Sequence, residues 1–189
     1  MAIRLESAWL ISDTGVLETF AAAGDVAWRA FWLHYRDRVH WTDAVRDEVR
    51  LRIRSGETSL IKVQRAPWPA AIDLSTPEDQ AEVDAMRERL RRENDPPTKH
   101  VGEAATIVAA LHTGAVAAID DADGYTLAKT SGLKVVRGLE LMIAVVNADG
   151  LTCHEAWEAY ARMRGHSRLP DIPRSQLCPP ACGRHRPAG

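Results

Sequence analysis

Four short apolar runs alternate with longer helical patterns along this chain, and that alternation restricts the possible folds more than any other feature. Ala8–Ser12 (AWLIS), Val39–Trp41 (VHW), Val116–Ile119 (VAAI) and Lys134–Val136 (KVV) read as strands, three of them bracketed by turn-forming or charged residues. Helices are predicted over Val16–Ala23, Val26–Arg36, Thr42–Arg54, Pro77–Arg92, Val101–His112, Gly124–Thr130, Leu139–Asn147 and Thr152–Arg164. Val45, Val49 and Ile53 recur at spacing four and give the third of these an apolar stripe. The fourth opens on Ser75, Thr76 and Pro77, which are helix-start residues. Its acids come first and its arginines last, as the helix dipole favours. Strands alternating with helices pair in parallel and need both faces covered. The expected class is therefore α/β, a three-layer α/β/α sandwich with a central parallel sheet.

With 189 residues, 46% of them hydrophobic, the chain can bury one sizeable core. Residues 1–164 are expected to form that domain. Residues 165–189, with five prolines, several arginines and the single acid Asp171, read as an irregular basic tail. Arg65–Pro69 and Asn94–Pro97 read as loops. The net charge of −2 supplies no global basic field for nucleic acid. An enzyme that reaches phosphate through metal ions remains compatible with it. Three cysteines, Cys153, Cys178 and Cys182, do not make a disulfide framework and point to a reducing compartment. No run approaches the roughly 20 apolar residues of a membrane span, and the N-terminal run is too short for a signal peptide. The expected location is the cytoplasm.

The chemistry is expected at two strand ends. Asp13 follows the first strand directly, and Asp120 and Asp121 follow the third. In a parallel sheet the carboxyl ends of the strands form the ligand crevice, so two strands deliver carboxylates to one edge. Glu103 is the only charged residue of its helix before His112, and Glu48 lies beside the apolar stripe of Thr42–Arg54. A carboxylate near a core-facing surface is costly unless paired or bound to a cation. No Lys or Arg in these motifs is an obvious partner. Clustered carboxylates raise one another's pKa, and a hard cation, Mg2+ or Mn2+, relieves that conflict. Such an ion could activate water for attack on a phosphodiester. Dinucleotide and P-loop phosphate cradles, a nucleophile elbow and the HExxH zinc motif are all absent from the sequence.

Four stretches resemble the PIN-domain ribonucleases, of the kind found as the toxin in bacterial VapC-type toxin–antitoxin pairs. They are SDTGVLETFAAAG (Ser12–Gly24), VRDEV (Val45–Val49), GEAATIVAALHTGAVAAIDDADGYTLAKTSGLKVV (Gly102–Val136) and RGLELMIAVVNADGLT (Arg137–Thr152). The third is the specific one. By this resemblance Asp13, Glu48, Glu103 and Asp121 would hold the metal, with Asp120 or Asp123 assisting, and Asp13, Glu103 and Asp121 would be catalytic. The resemblance also implies Mg2+- or Mn2+-dependent RNA cleavage, a homodimer and an inhibiting antitoxin protein. Gly15 departs from the Asn or Ser often found two residues after the first acid. The segment from about Val63 to Pro97 is longer than the resemblance leads one to expect and suggests a clip or lid.

Each singled-out residue also has a plainer reading. One of Asp120, Asp121 and Asp123 is expected to cap a helix. Thr14 either binds metal-linked water or substrate, or supports the turn. Arg137 reads as a solvated loop residue before a phosphate contact, and His100 as a surface residue. Cys178, Cys182 and His185 have a zinc-like flavour, but the spacing fits an unstructured tail better. Trp28 and Trp32, at spacing four, read as packing or a subunit interface. Two rival functions stand beside the nuclease: a non-catalytic PIN-like interaction module, and a phosphatase-like hydrolase with Asp13 as nucleophile.

Overall fold

The computed structural model describes residues 8–96, 98–166 and 169–178. Four short strands, β1 (Leu10–Ser12), β2 (Val39–His40), β3 (Val116–Ala118) and β4 (Val135–Val136), form one sheet in the order β2-β1-β3-β4. Every neighbouring pair is parallel, with Ser12 opposite Ala118 and Ala118 opposite Val136. Each strand lies inside its predicted apolar run and is one or two residues shorter. The helices are α1 (Thr14–Ala22), α2 (Asp25–Tyr35), α3 (Asp43–Arg54), α4 (Ile61–Arg65), α5 (Pro77–Leu90), α6 (Val101–Thr113), α7 (Ala122–Thr130), α8 (Gly138–Asn147), α9 (Cys153–His166) and α10 (Arg174–Leu177).

Successive strand side chains point to opposite faces, and that alternation splits the core in two. Leu10, Val116, Ala118 and Val136 pack with α1, α2, α8 and α9, through Phe20, Phe31, Met142 and Tyr160 among others. Ile11, Ala117, Ile119 and Val135 pack on the other side with α5, α6 and α7, through Val83, Ile107 and Leu127. The result is the three-layer α/β/α sandwich expected from the alternating pattern. Its helix starts follow capping chemistry: Asp13, Thr42 and Thr76 accept from Val16 N, Val45 N and Asp79 N at 2.8, 3.2 and 3.1 Å. Among the described residues no helix is long and apolar enough to cross a membrane.

Three features were not legible in the pattern. A 3-10 turn (Thr58–Leu60) and α4 bury Leu60 and Val63, but elements this short have no periodicity to read. The long segment before Pro97 is not a free lid: α5 lies along α6 and commits Val83 and Leu90 to the second core. The described part of the Pro-rich C-terminal segment, residues 169–178, is likewise attached. Tyr160 Oη donates to Pro170 O at 2.6 Å and accepts from Ile172 N at 3.0 Å, while Ile172 and Leu177 enter the first core. Cys178 donates weakly to Cys153 O; Cys182 and His185 lie outside the described residues. Trp28 packs in the core beside Trp32, whose ring meets Trp68 edge-on at 4.9 Å, in keeping with the packing role read for both tryptophans.

Candidate metal centre

The parallel register sets the carboxyl ends of β1 and β3 side by side, with Asp13 N donating to Ala118 O at 3.0 Å. Asp13 is 2% exposed. One of its oxygens is held by the α1 cap, accepting from Val16 N. Burial pushes its carboxyl pKa well above the ordinary value; Asp120, Glu103 and Glu48 push the same way, against the Val16 hydrogen bond.

Asp120 faces Asp13 from the end of β3. Its Oδ1 accepts from Gly138 N at 2.7 Å, at the start of α8. Its Oδ2 is buried with no hydrogen-bond partner. Burial again raises the pKa, opposed by the Gly138 N–H, the Thr19 hydroxyl and the Arg137 charge. A side chain on Gly15 would start 3.4 Å from Asp13 Oδ2 and 3.8 Å from Asp120 Cβ, so this glycine lies between the two acids and has room for a small group.

Glu48 reaches the cluster from α3. Its Oε2 accepts from the Thr14 hydroxyl at 2.9 Å, which gives Thr14 a third role that neither reading anticipated: it orients a carboxylate. The expectation that these motifs lack a cationic partner is corrected here. Arg52, one helical turn on, donates to Glu48 Oε1 at 3.1 Å and also pairs with Glu18. Glu103 enters from the first turn of α6. Burial raises its pKa, with Glu48 and Asp121 adding to the effect and His100 opposing it. Asp121 is the acid that caps α7, with Oδ1 accepting from Asp123 N and Gly124 N at 2.9 and 2.8 Å. Gly124 packs between them, its Cβ position 3.5 Å from Glu103 Cγ and 3.6 Å from Asp121 Oδ1. Asp123 turns away and ion-pairs with Arg92.

Asp13, Glu48, Glu103, Asp120 and Asp121 thus gather at one end of the sheet. Among the described residues no group of three or more His, Cys, Asp or Glu side chains is placed to hold a metal ion as it stands. What fits a cation is the chemistry of the donors: hard oxygens, mutually repelling, one of them buried and unpartnered.

His100 is the main residue that the sequence reading misplaced. It is buried, not on the surface, and lies 3.8 Å by Nδ1 from Glu103 Oε1. Asp95, its partner at 3.3 Å, was not anticipated, since a loop acid ahead of a helix carries no signal of its own. Arg137 stacks its guanidinium over the Tyr125 ring, 4.4 Å from the centroid, at the rim of the cluster. A groove between α5 and α7 is lined by Arg89, Arg91, Arg92, Asp123, Thr126 and Thr130, with Arg92 paired to Asp123.

A family model described as a PIN domain matches residues 9–168. No curated protein and no solved structure matches the chain.

Proposed function

Because the chain belongs to the PIN-domain family, whose members are generally nucleases, we propose that it is an endoribonuclease dependent on a divalent metal ion. One observation carries the proposal: carboxylates from separate strands and helices converge at the carboxyl end of the sheet, where Asp13 is buried and Asp120 Oδ2 is buried without a hydrogen-bond partner. Asp13, Asp120 and Glu103 would hold Mg2+ or Mn2+, with Glu48 and Asp121 completing the set. Such an ion supplies activation of water and neutralisation of charge developing at a phosphodiester. The chain's own groups do the rest. The α1 cap fixes Asp13, Gly138 N fixes Asp120, and Thr14 fixes Glu48. Arg137, whose charge acts on Asp120, offers a phosphate contact beside the acids, so a chain with net charge −2 still presents a local cation to RNA.

The test is cleavage of RNA in the presence of Mn2+ by the wild type, Asp13→Asn and Asp121→Asn. Both variants should lose activity; cleavage unchanged in both rejects the mechanism. The resemblance to VapC-type toxins supplies the biological setting we propose: a homodimeric toxin silenced by a cognate antitoxin protein. Expression in a bacterial host should then arrest growth, and Asp13→Asn should not.

A non-catalytic module is the second reading. It draws support from Arg52, which already neutralises part of Glu48, and from the absence, among the described residues, of three or more His, Cys, Asp or Glu side chains placed to hold a metal ion. It predicts no stabilisation by Mn2+ that Asp13→Asn abolishes.

A further inference from the structure

His100 stands where the acid cluster meets the segment leading in from α5. It precedes α6 with a backbone φ of 65°, in the left-handed region. A non-glycine residue is uncommon there and persists only where its surroundings fix it. The side chain is 6% exposed, and its two ring nitrogens have different neighbours. Nε2 lies 3.3 Å from Asp95 Oδ2, whereas Nδ1 is buried without a hydrogen-bond partner and points toward Glu103 Oε1 at 3.8 Å.

Asp95 is well secured as an anion. Lys99 Nζ donates to its Oδ1 at 2.6 Å and Arg92 N to its Oδ2 at 2.9 Å, and these bonds hold its carboxyl down at about 2. With Nε2 held on a carboxylate, Nδ1 is the ring nitrogen left facing Glu103, buried and without a hydrogen-bond partner of its own. A carboxylate, an imidazole and a metal in that order is the arrangement that fixes the tautomer of metal-binding histidines. Metal–nitrogen and metal–oxygen bonds of about 2.1 Å allow two donors on one ion to be at most about 4.2 Å apart, and 3.8 Å falls inside that limit.

We propose that His100 is a nitrogen ligand of the metal centre, sharing one ion with Glu103 and shifting the site's preference from Mg2+ toward ions that accept imidazole, such as Mn2+ and Co2+. The inference rests on the reading of the acids as a metal site. Mg2+ is a hard ion that favours oxygen and water, whereas imidazole suits the transition metals. Asp95 is a positioning residue in this account, acting only through the ring.

The experiment titrates the full chain with CoCl2, MnCl2 and MgCl2 by calorimetry and follows the visible absorption of bound Co2+. Wild type is compared with His100→Gln and Asp95→Asn. Wild type should bind Co2+ at least about tenfold more tightly than Mg2+. His100→Gln should weaken Co2+ by about 10- to 100-fold and shift its absorption band, leaving Mg2+ within about threefold. Asp95→Asn should cost Co2+ about tenfold, because an amide can donate to Nε2 and move the ring proton onto Nδ1. If His100→Gln does not fold, Asp95→Asn decides the matter alone. Variants that keep the wild-type Co2+-to-Mg2+ ratio and the wild-type band would overturn the proposal and leave His100 as an ion-pair partner of Asp95 and Glu103. A wild type that binds none of the three ions would instead overturn the metal-centre reading, and this inference with it.

Discussion

Replacing Gly102 with alanine separates two consequences of the same methyl group. Gly102 is the second residue of α6, and in a helix alanine is ordinarily preferred to glycine by up to about 1 kcal/mol. Here an added Cβ would lie 2.5 Å from Glu48 Oε2, with Thr14 Oγ1 at 3.5 Å and Val45 Cγ2 at 3.6 Å. The obstructing atom is the end of a flexible side chain, so Glu48 swings away and α6 stays in place. That movement forfeits the 2.9 Å Thr14–Glu48 hydrogen bond, of a class worth roughly 1.5–3 kcal/mol when one partner is charged. Against the gain in helix preference, the net loss is roughly 0.5–2 kcal/mol. Its lower half is the better expectation, because the Glu48 side chain is 30% exposed. Thermal unfolding without metal should therefore show a fall in Tm of about 1–8 °C, at roughly 2–4 °C per kcal/mol for a chain of this length. Metal binding should suffer more, since the displaced carboxylate is one of the proposed ligands: calorimetry with Mn2+ should show an affinity loss of about tenfold or more. An alanine variant that is more stable than wild type and binds Mn2+ within twofold of it would refute the placement of Glu48 in the centre.

Three further predictions test other parts of the account. Asp13→Asn keeps the α1 cap acceptor but removes a carboxyl whose folded pKa is raised by burial and by Asp120. A raised folded pKa means that the native state holds the proton more tightly than the unfolded chain. Its destabilising effect is absent below the unfolded pKa and grows as pH rises through the folded one. Without metal, Asp13→Asn should therefore melt above wild type at neutral pH, with the gap closing toward acid pH, and Mn2+ should no longer raise its Tm; a gap independent of pH would contradict this. Arg52→Met removes the cation that competes for Glu48 and should strengthen Mn2+ binding several-fold, at a stability cost of up to about 1 kcal/mol for partly exposed ion pairs; weaker Mn2+ binding in calorimetry would count against it. Leu177→Ala should destabilise the protein by about 2–4 kcal/mol in denaturant unfolding, because Leu177 is fully buried in the first core; a neutral result would show that α10 does not stabilise the fold.

Much of this architecture is written in local patterns. The four apolar runs and the eight longer helices are visible because strands of period two and helices of spacing three to four leave distinct traces. That Asp13 and the acids after β3 meet at one edge was legible, because a parallel sheet sends the ends of β1 and β3 to the same side. The choice among Asp120, Asp121 and Asp123 was not legible. It depends on which carboxyl turns back to cap α7 and which turns in toward Gly138, and that is decided by the tertiary path of β4 and α8. Arg52 was legible in principle, four residues after Glu48 on the same helix face, although its second partner Glu18 comes from α1. His100 was not: its burial depends on α5 and the Asp95 loop packing against α6, and a polar residue ahead of a helix gives no sign of that. The Pro-rich segment after Gly165 reads as a loose tail because prolines preclude a long helix. The burial of Ile172 and Leu177 comes from contacts distant in sequence.

The central claim is that acids from separate elements share one cation at the carboxyl end of the sheet. Diffraction from crystals grown with Mn2+, recorded with its anomalous signal, tests this most directly. The account predicts a peak bounded by Asp13, Asp120 and Glu103 that disappears in Asp13→Asn. A saturating concentration of Mn2+ that leaves no peak there, or a peak unaffected by that substitution, would contradict it.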